Sequence, residues 1–171
     1  SKSITMDVKG HHLFLLGERK DELGGSVYYD IHDETGKNIP AIDYDKERRM
    51  LYFIIDAIDR RLLESCHDIS DGGFAAAISE MCILGNTGAE ISIESGLRTD
   101  RFLFSETPGY IIEVKEENIE DVKTLAEDLD LIKIGEAKAD RLKITHDKTT
   151  IDIPLDKIEH AWRESFREVL R

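Results

Sequence analysis

The stretch His67-Asp68-Ile69-Ser70-Asp71-Gly72-Gly73, running into Phe74 and three alanines, has the residue types of an anion-binding helix mouth. Ser70 or Asp71 is placed to cap the helix, since either side chain accepts a hydrogen bond from the unpaired N–H groups of a first turn. Gly72 and Gly73 have no side chain, so another molecule can approach the backbone there. The free N–H groups and the positive end of the helix dipole favour an anion such as phosphate. Asp68 and Asp71 would repel a bare phosphate. A metal ion held between these carboxylates and a phosphate would reconcile the two. The same residues also make an ordinary loop-to-helix junction. Gly24, Gly25 and Ser26 build a second mouth of this kind, for which the alternative is a tight turn.

Other reactive residue types read as structural. Cys66 and His67 are adjacent on an extended segment, where neighbours point to opposite faces, so they do not form a nucleophile–base pair. His11, His12, His32, His146 and His160 show no ligand spacing and suit surface or packing positions. Glu106 is placed to pair with Arg98 or Arg101. Trp162 falls on the inward face of the last helix and belongs to the core.

The elements that position these residues are legible from periodicity. His12–Leu16 is a short apolar run ended by Gly17 and predicts a buried strand, with residues 4–8 as its partner. Ser26 caps a short helix through Val27, Tyr28 and Ile31. Asp43 opens a long helix whose apolar stripe is Leu51, Ile54, Ile55, Ile58 and Leu62. Residues 65–69 form a brief strand before the Gly72-Gly73 turn. The next helix runs from about Phe74 to Leu84 and stops at Gly85-Asn86. Strands follow at 89–93, 102–104 and 110–114, then a helix over 117–129 and a strand at 131–134 ended by Gly135. A hairpin joins 142–145 to 150–153, and a helix over about 156–170 faces inward with Ile158, Trp162, Phe166 and Val169. This mix of hairpins and helices predicts one α+β layered domain, a mixed sheet with helices, over residues 1–171.

Composition narrows the partners. The chain has 171 residues, 40% of them hydrophobic and 35% charged, which is the profile of a globular protein with a real core. A net charge of −13 disfavours nucleic acid and acidic membrane surfaces, because their phosphates would be repelled. No apolar run has the length to cross a bilayer, and the start carries no signal-peptide pattern. Two cysteines, Cys66 and Cys82, are too few for a disulfide framework and fit a reduced, cytoplasmic setting. The first residues, Ser1-Lys2-Ser3, lack an initiator methionine, as expected of a piece of a longer protein.

Three ordered motifs carry a family resemblance. His67-Asp68-Ile69-Ser70-Asp71-Gly72-Gly73, with Glu80 on the following helix, resembles the signature of the formylglycinamidine ribonucleotide synthase family, in its small PurL-type form. Leu15-Leu16-Gly17 followed by Asp21-Glu22-Leu23-Gly24-Gly25-Ser26 is similar to the element that opens that family's last domain. Leu103-Phe104-Ser105-Glu106 followed by Tyr110-Ile111-Ile112 resembles its Phe-Gly-Glu-Ser strand–loop–strand, and Ile134-Gly135-Glu136 matches a later element. Sister enzymes of the AIR synthase-related superfamily, among them aminoimidazole ribonucleotide synthetase and selenophosphate synthetase, have differently worded turns.

The resemblance implies a PurM C-terminal-domain-like fold and a place as the final carboxyl-type domain of a multidomain synthase. It implies ATP-dependent amidation of formylglycinamide ribonucleotide in purine biosynthesis, with ATP or ADP and Mg2+ bound by the full enzyme. Ammonia would come from glutamine through a separate glutaminase subunit, with a small bridging subunit. It places no catalytic residue in this domain, which is expected to be inactive alone. Nucleotide phosphate would meet Ser70, Asp71, Gly72 and Gly73, and also Gly24, Gly25 and Ser26; Asp68 and Asp71 would be the magnesium ligands. The substrate loop corresponds to Ser105, Glu106 and Thr107, although neither Ser nor Gln follows the glutamate as in the family's pattern. Two alternatives stay open: a non-catalytic scaffold within that enzyme, or the same domain of a sister enzyme.

Overall fold

The computed structural model describes residues 6, 10–138 and 140–169, with side chains as far as 164 in the last helix. In chain order the elements are β1 (His12–Leu16), α1 (Val27–Ile31), α2 (Tyr44–Asp59), β2 (Ser65–Asp68), α3 (Gly73–Gly85), β3 (Ala89–Ile93) and α4 (Thr99–Phe104). Then come β4 (Tyr110–Val114), a 3-10 turn (Glu116–Asn118), α5 (Ile119–Ala126), β5 (Leu131–Ala137), β6 (Arg141–His146), β7 (Thr149–Pro154) and α6 (Leu155–Val169). The strands form one sheet in the order β2-β4-β1-β5-β3-β6-β7, antiparallel except where β3 meets β6. The α+β class expected from the sequence is the one observed.

β1 lies inside the sheet, between β4 and β5, and is buried on both faces, which is why it reads as an unbroken apolar run rather than an alternation. Leu13 and Leu15 point to one layer, where α3 and α4 pack through Phe74, Ile78, Phe102 and Leu103. Phe14 and Leu16 point to the other, where α2 and α5 pack through Met50, Phe53, Ile54 and Val122. Two apolar cores therefore sandwich the sheet, and the period of two along β1 feeds both. Gly135 lets β5 close onto β3: a Cβ there would stand 2.1 Å from the Glu90 carbonyl oxygen and 2.9 Å from Ile91 Cα. The strand therefore continues through Gly135 to Ala137 instead of ending at it, with a register shift opposite Leu13 and Phe14.

Several expectations change. Residues 102–104 are not a strand but the end of α4. β4 already has β2 on one edge and β1 on the other, so no edge is left for another strand to pair with it. As a helix the segment instead buries Phe102 against Phe74, edge-on at 5.3 Å. His146, fully buried, stacks on Phe102 and hydrogen-bonds Ser95 Oγ through Nε2 (2.7 Å) and Thr99 Oγ1 through Nδ1 (3.1 Å), which ties β6 to the start of α4. The stripe of α2 also shifts. Met50, Phe53, Ile54 and Ala57 face the sheet, Leu51 and Ile55 face outward, and Leu62 is buried beyond the helix end at Asp59. α5 stops at Ala126, where Glu127 takes a positive φ of 48°, so Leu129 lies outside it. Trp162 is half-buried. The expected partner strand at 4–8, apart from Met6, and the side chains of Phe166 and Val169 lie outside the described residues.

Gly135→Ala tests the close approach of β5 and β3. It is expected to cost about 3 kcal/mol, the upper end for overpacking, read as a lower urea midpoint at unchanged slope.

Candidate functional site

The two helix mouths singled out in the sequence meet at one loop, residues 105–109, which joins α4 to β4. At its centre is Glu106. One oxygen of its carboxylate, Oε1, accepts the N–H of Gly72 at the mouth of α3 (2.9 Å) and the N–H of Val27 at the mouth of α1 (2.9 Å). A carboxylate of the chain itself therefore stands where a helix dipole attracts an anion. Glu106 does not pair with Arg98 or Arg101. Arg98 binds Asp100 through two bonds of 2.6 Å, and Arg101 is held by Asp21.

The rest of the loop is fastened from the other side. Arg19 is buried and donates to the carbonyl oxygens of Ser105 and Thr107, and to Ser105 Oγ at 3.1 Å. Burial pushes its guanidinium down to about 10, with nearby Glu22 acting in the opposite sense, so it keeps its charge at neutral pH. Its Nε is buried without a hydrogen-bond partner. Thr107 Oγ1 donates to Glu22 Oε2 (2.8 Å), and Glu22 Oε1 accepts the N–H of Ala41 (3.3 Å). Ser105 and Thr107 are buried. The loop that the resemblance likened to a substrate loop turns Ser105 and Thr107 into its own framework.

The individual sequence expectations fare differently. Ser26 caps α1 as foreseen: its Oγ accepts from Tyr29 N (3.3 Å) and donates to the Leu23 carbonyl (2.8 Å). Neither Ser70 nor Asp71 caps α3. The cap is Gly72, in a left-handed conformation with no side-chain bond, and both Ser70 and Asp71 are exposed. The N–H groups of Gly73, Gly24 and Ser26 are bonded to the carbonyls of Ser70 (3.0 Å), Asn38 (2.7 Å) and Leu23 (3.2 Å). The glycine of α3 is needed for packing, because Gly73 has φ +68° and a Cβ there would lie 2.7 Å from the Ser105 carbonyl oxygen. Gly25 is exposed. Asp68 and Asp71 are exposed too, and among the described residues no three His, Cys, Asp or Glu gather to hold a metal ion. The residues present do not form a magnesium site by themselves.

His67 and Glu80, thirteen positions apart, meet at 3.0 Å between Nε2 and Oε2, while His67 Nδ1 donates to the Asp68 carbonyl (2.6 Å). The pair fixes β2 to α3. Burial pushes the thiols of Cys66 and Cys82 up to about 12, with Asp68 adding to the effect at Cys66, so neither is a nucleophile at neutral pH. What the sequence did not signal is Arg19, an arginine in a polar loop that reads as solvated until the loop is folded over it.

Comparison with known proteins gives the arrangement a setting. Residues 8–147 match the family model described as AIR synthase related protein, C-terminal domain. The phosphoribosylformylglycinamidine synthase subunit PurL of Methanothrix thermoacetophila is 38% identical across 100% of this chain, which spans 23% of that relative. Among solved structures, PurL of T. maritima complexed with FGAR superposes with a TM-score of 0.79 at 16% identity, over 92% of this chain and 29% of that one. E. coli HypE, a hydrogenase maturation protein, superposes with a TM-score of 0.64 at 17% identity, over 90% of this chain and 52% of that one. The chain spans about a quarter of the length of the curated relatives it matches.

Two outcomes are expected from this geometry. Glu106→Ala leaves the Gly72 and Val27 N–H groups without their acceptor and costs about 1–3 kcal/mol, mostly at the less exposed Gly72. Glu106→Gln keeps an acceptor oxygen, loses only the charge at the helix mouths, and costs less, about 0.3–1 kcal/mol; denaturant midpoints of the two variants check the order. Alkylation of Cys66 by a thiol reagent is slow at pH 8 in the folded chain and accelerates toward pH 12, since only the thiolate reacts; mass spectrometry of the labelled peptide follows the rate.

Proposed function

Because this chain belongs to the family of AIR synthase related proteins, as their C-terminal domain, we propose that it is the final domain of an ATP-dependent synthase of purine biosynthesis. In that reaction formylglycinamide ribonucleotide, ATP and ammonia give formylglycinamidine ribonucleotide, ADP and phosphate. The amide oxygen takes the transferred phosphoryl group and leaves as phosphate when ammonia adds to the carbon. Ammonia is drawn from glutamine by a separate glutaminase subunit, joined through a small bridging subunit. We place the enzyme in the cytoplasm; among the described residues no helix is long and apolar enough to cross a membrane. Magnesium belongs, in this reading, to residues outside this chain.

Within the synthase the domain's own contribution is positional. The observation that carries this is the Glu106 carboxylate across both helix mouths, with Arg19 locking the loop behind it. It fills the place of a phosphate with a fixed internal charge. No group in the arrangement attacks, protonates or leaves. Ser70 and Gly25, exposed beside the mouths, are where a nucleotide phosphate would touch this domain.

The test uses the full-length synthase. Ser70→Ala and Asp71→Ala are expected to change kcat/KM for ATP by less than about twofold and to leave bound nucleotide unchanged. Glu106→Ala is expected to lower thermal stability, with activity falling in parallel. A loss of about tenfold or more in kcat/KM on Ser70→Ala, at unchanged stability, would replace the positional reading with a nucleotide-binding one. Gly73→Ala does not discriminate, because its Cβ collides with the α4 terminus whatever the site does.

A further inference from the structure

β3 and β6 run parallel, and their register sets Ile93 beside His146. Ser95 lies two residues past the end of β3, and Thr99 is the first residue of α4; both reach the buried ring of His146. The Ser95 O–H donates to His146 Nε2 (2.7 Å), and Thr99 Oγ1 stands 3.1 Å from Nδ1. Thr99 gives its own proton to Thr149 Oγ1 (3.3 Å), so its oxygen accepts the Nδ1–H, and Nε2 is the proton acceptor that faces Ser95. Leu97 N–H donates to Ser95 Oγ (3.2 Å), which leaves the hydroxyl proton directed at the ring. The carboxylate of Asp147 has one oxygen 3.8 Å from His146 Nδ1, and its other oxygen accepts the Ser95 N–H (3.1 Å). A hydroxyl bonded to a base, and a base held by a third group, are the parts of an activated nucleophile.

We propose that Ser95 is a nucleophile, with His146 as its base, toward uncharged or cationic esters of short apolar acids, an activity separate from the amidation reaction. Ser95 is exposed and lines a cavity of about 300 Å3, a volume for a small ligand. Ile93, Leu97, Phe102 and Ile132 give that cavity an apolar wall for the acyl chain. Glu18, Glu94 and Asp130 also line it and disfavour an anionic substrate, while Arg19 at its edge is engaged with the carbonyls of Ser105 and Thr107. Ser95 Oγ adds to the ester carbonyl carbon as its proton passes to His146 Nε2. The alcohol leaves with that proton, and the acyl group stays on Oγ. Water then adds to the acyl carbon, giving its proton to the same nitrogen, and the acid departs as Oγ regains a proton. The Gly96 N–H, next along the chain, has no acceptor among the described residues and is the donor assigned to the developing oxyanion.

Labelling of the native full-length protein with an alkyl fluorophosphonate tests this without a substitution, because the reagent captures a serine whose proton a base removes. Peptide mass spectrometry is expected to find the adduct on Ser95, formed about a hundredfold faster than on exposed Ser70 or than on Ser95 in urea. His146→Gln is expected to slow the labelling of Ser95 about a hundredfold or more. His146 also packs on Phe102, so a second variant accompanies it. Thr99→Val keeps the side-chain shape and removes the acceptor at Nδ1; it is expected to lower kcat for p-nitrophenyl butyrate about tenfold with KM unchanged, a split that loss of stability alone does not produce. Ser95→Ala is expected to abolish hydrolysis of that ester while ATP-dependent amidation continues. Ser95 left unlabelled in the native protein overturns the proposal. So does labelling at the same rate on Ser70, or ester hydrolysis that persists at its original rate in Ser95→Ala.

Discussion

The structure depends on one shared acceptor. Two helices begin within reach of a single carboxylate oxygen, and Glu106 takes an N–H from each. Helix mouths leave N–H groups unpaired and carry partial positive charge, so an anion belongs there. Here it comes from the chain, from one residue that lies 34 and 79 positions from its two donors. One charged side chain thereby sets the relative position of α1, α3 and the strand entry at β4.

Around this acceptor the polypeptide is drawn tight. Arg19 holds the carbonyls on the far side of the same loop, and Thr107 reaches Glu22, which holds Ala41. Gly73 lies so close to the end of α4 that no side chain fits between them. The conformation of α4, the absent side chain at Gly73 and the inward turn of Ser105 and Thr107 are one packing solution. A loop committed to that solution has little freedom to close on a ligand, which supports the positional role proposed for it.

The two faces of α2 make a related point about incomplete burial. The inner face is satisfied by the sheet, while the outer face mixes Leu51, Tyr52 and Ile55 with exposed Asp45, Arg48 and Arg49. A hydrophobic period alone marks which residues are apolar; it does not say which of them the fold buries. The stripe read from the sequence mixed them, taking Ile54 from one and Leu51 and Ile55 from the other.

Local features were set by the sequence itself. The Ser26 and Asp43 caps, the β1 run, the β6–β7 hairpin and the end of α3 at Asn86 depend on neighbours a few residues apart, where side-chain type decides backbone conformation directly. The glycine pair was likewise visible as a helix entrance. Tertiary structure alone decided that its anion would be Glu106, that Arg19 would be buried, that 102–104 would be helical, and that His67 would meet Glu80. Each of these is a contact between distant positions. Local residue types state the need for a partner, but only the folded chain determines which partner arrives.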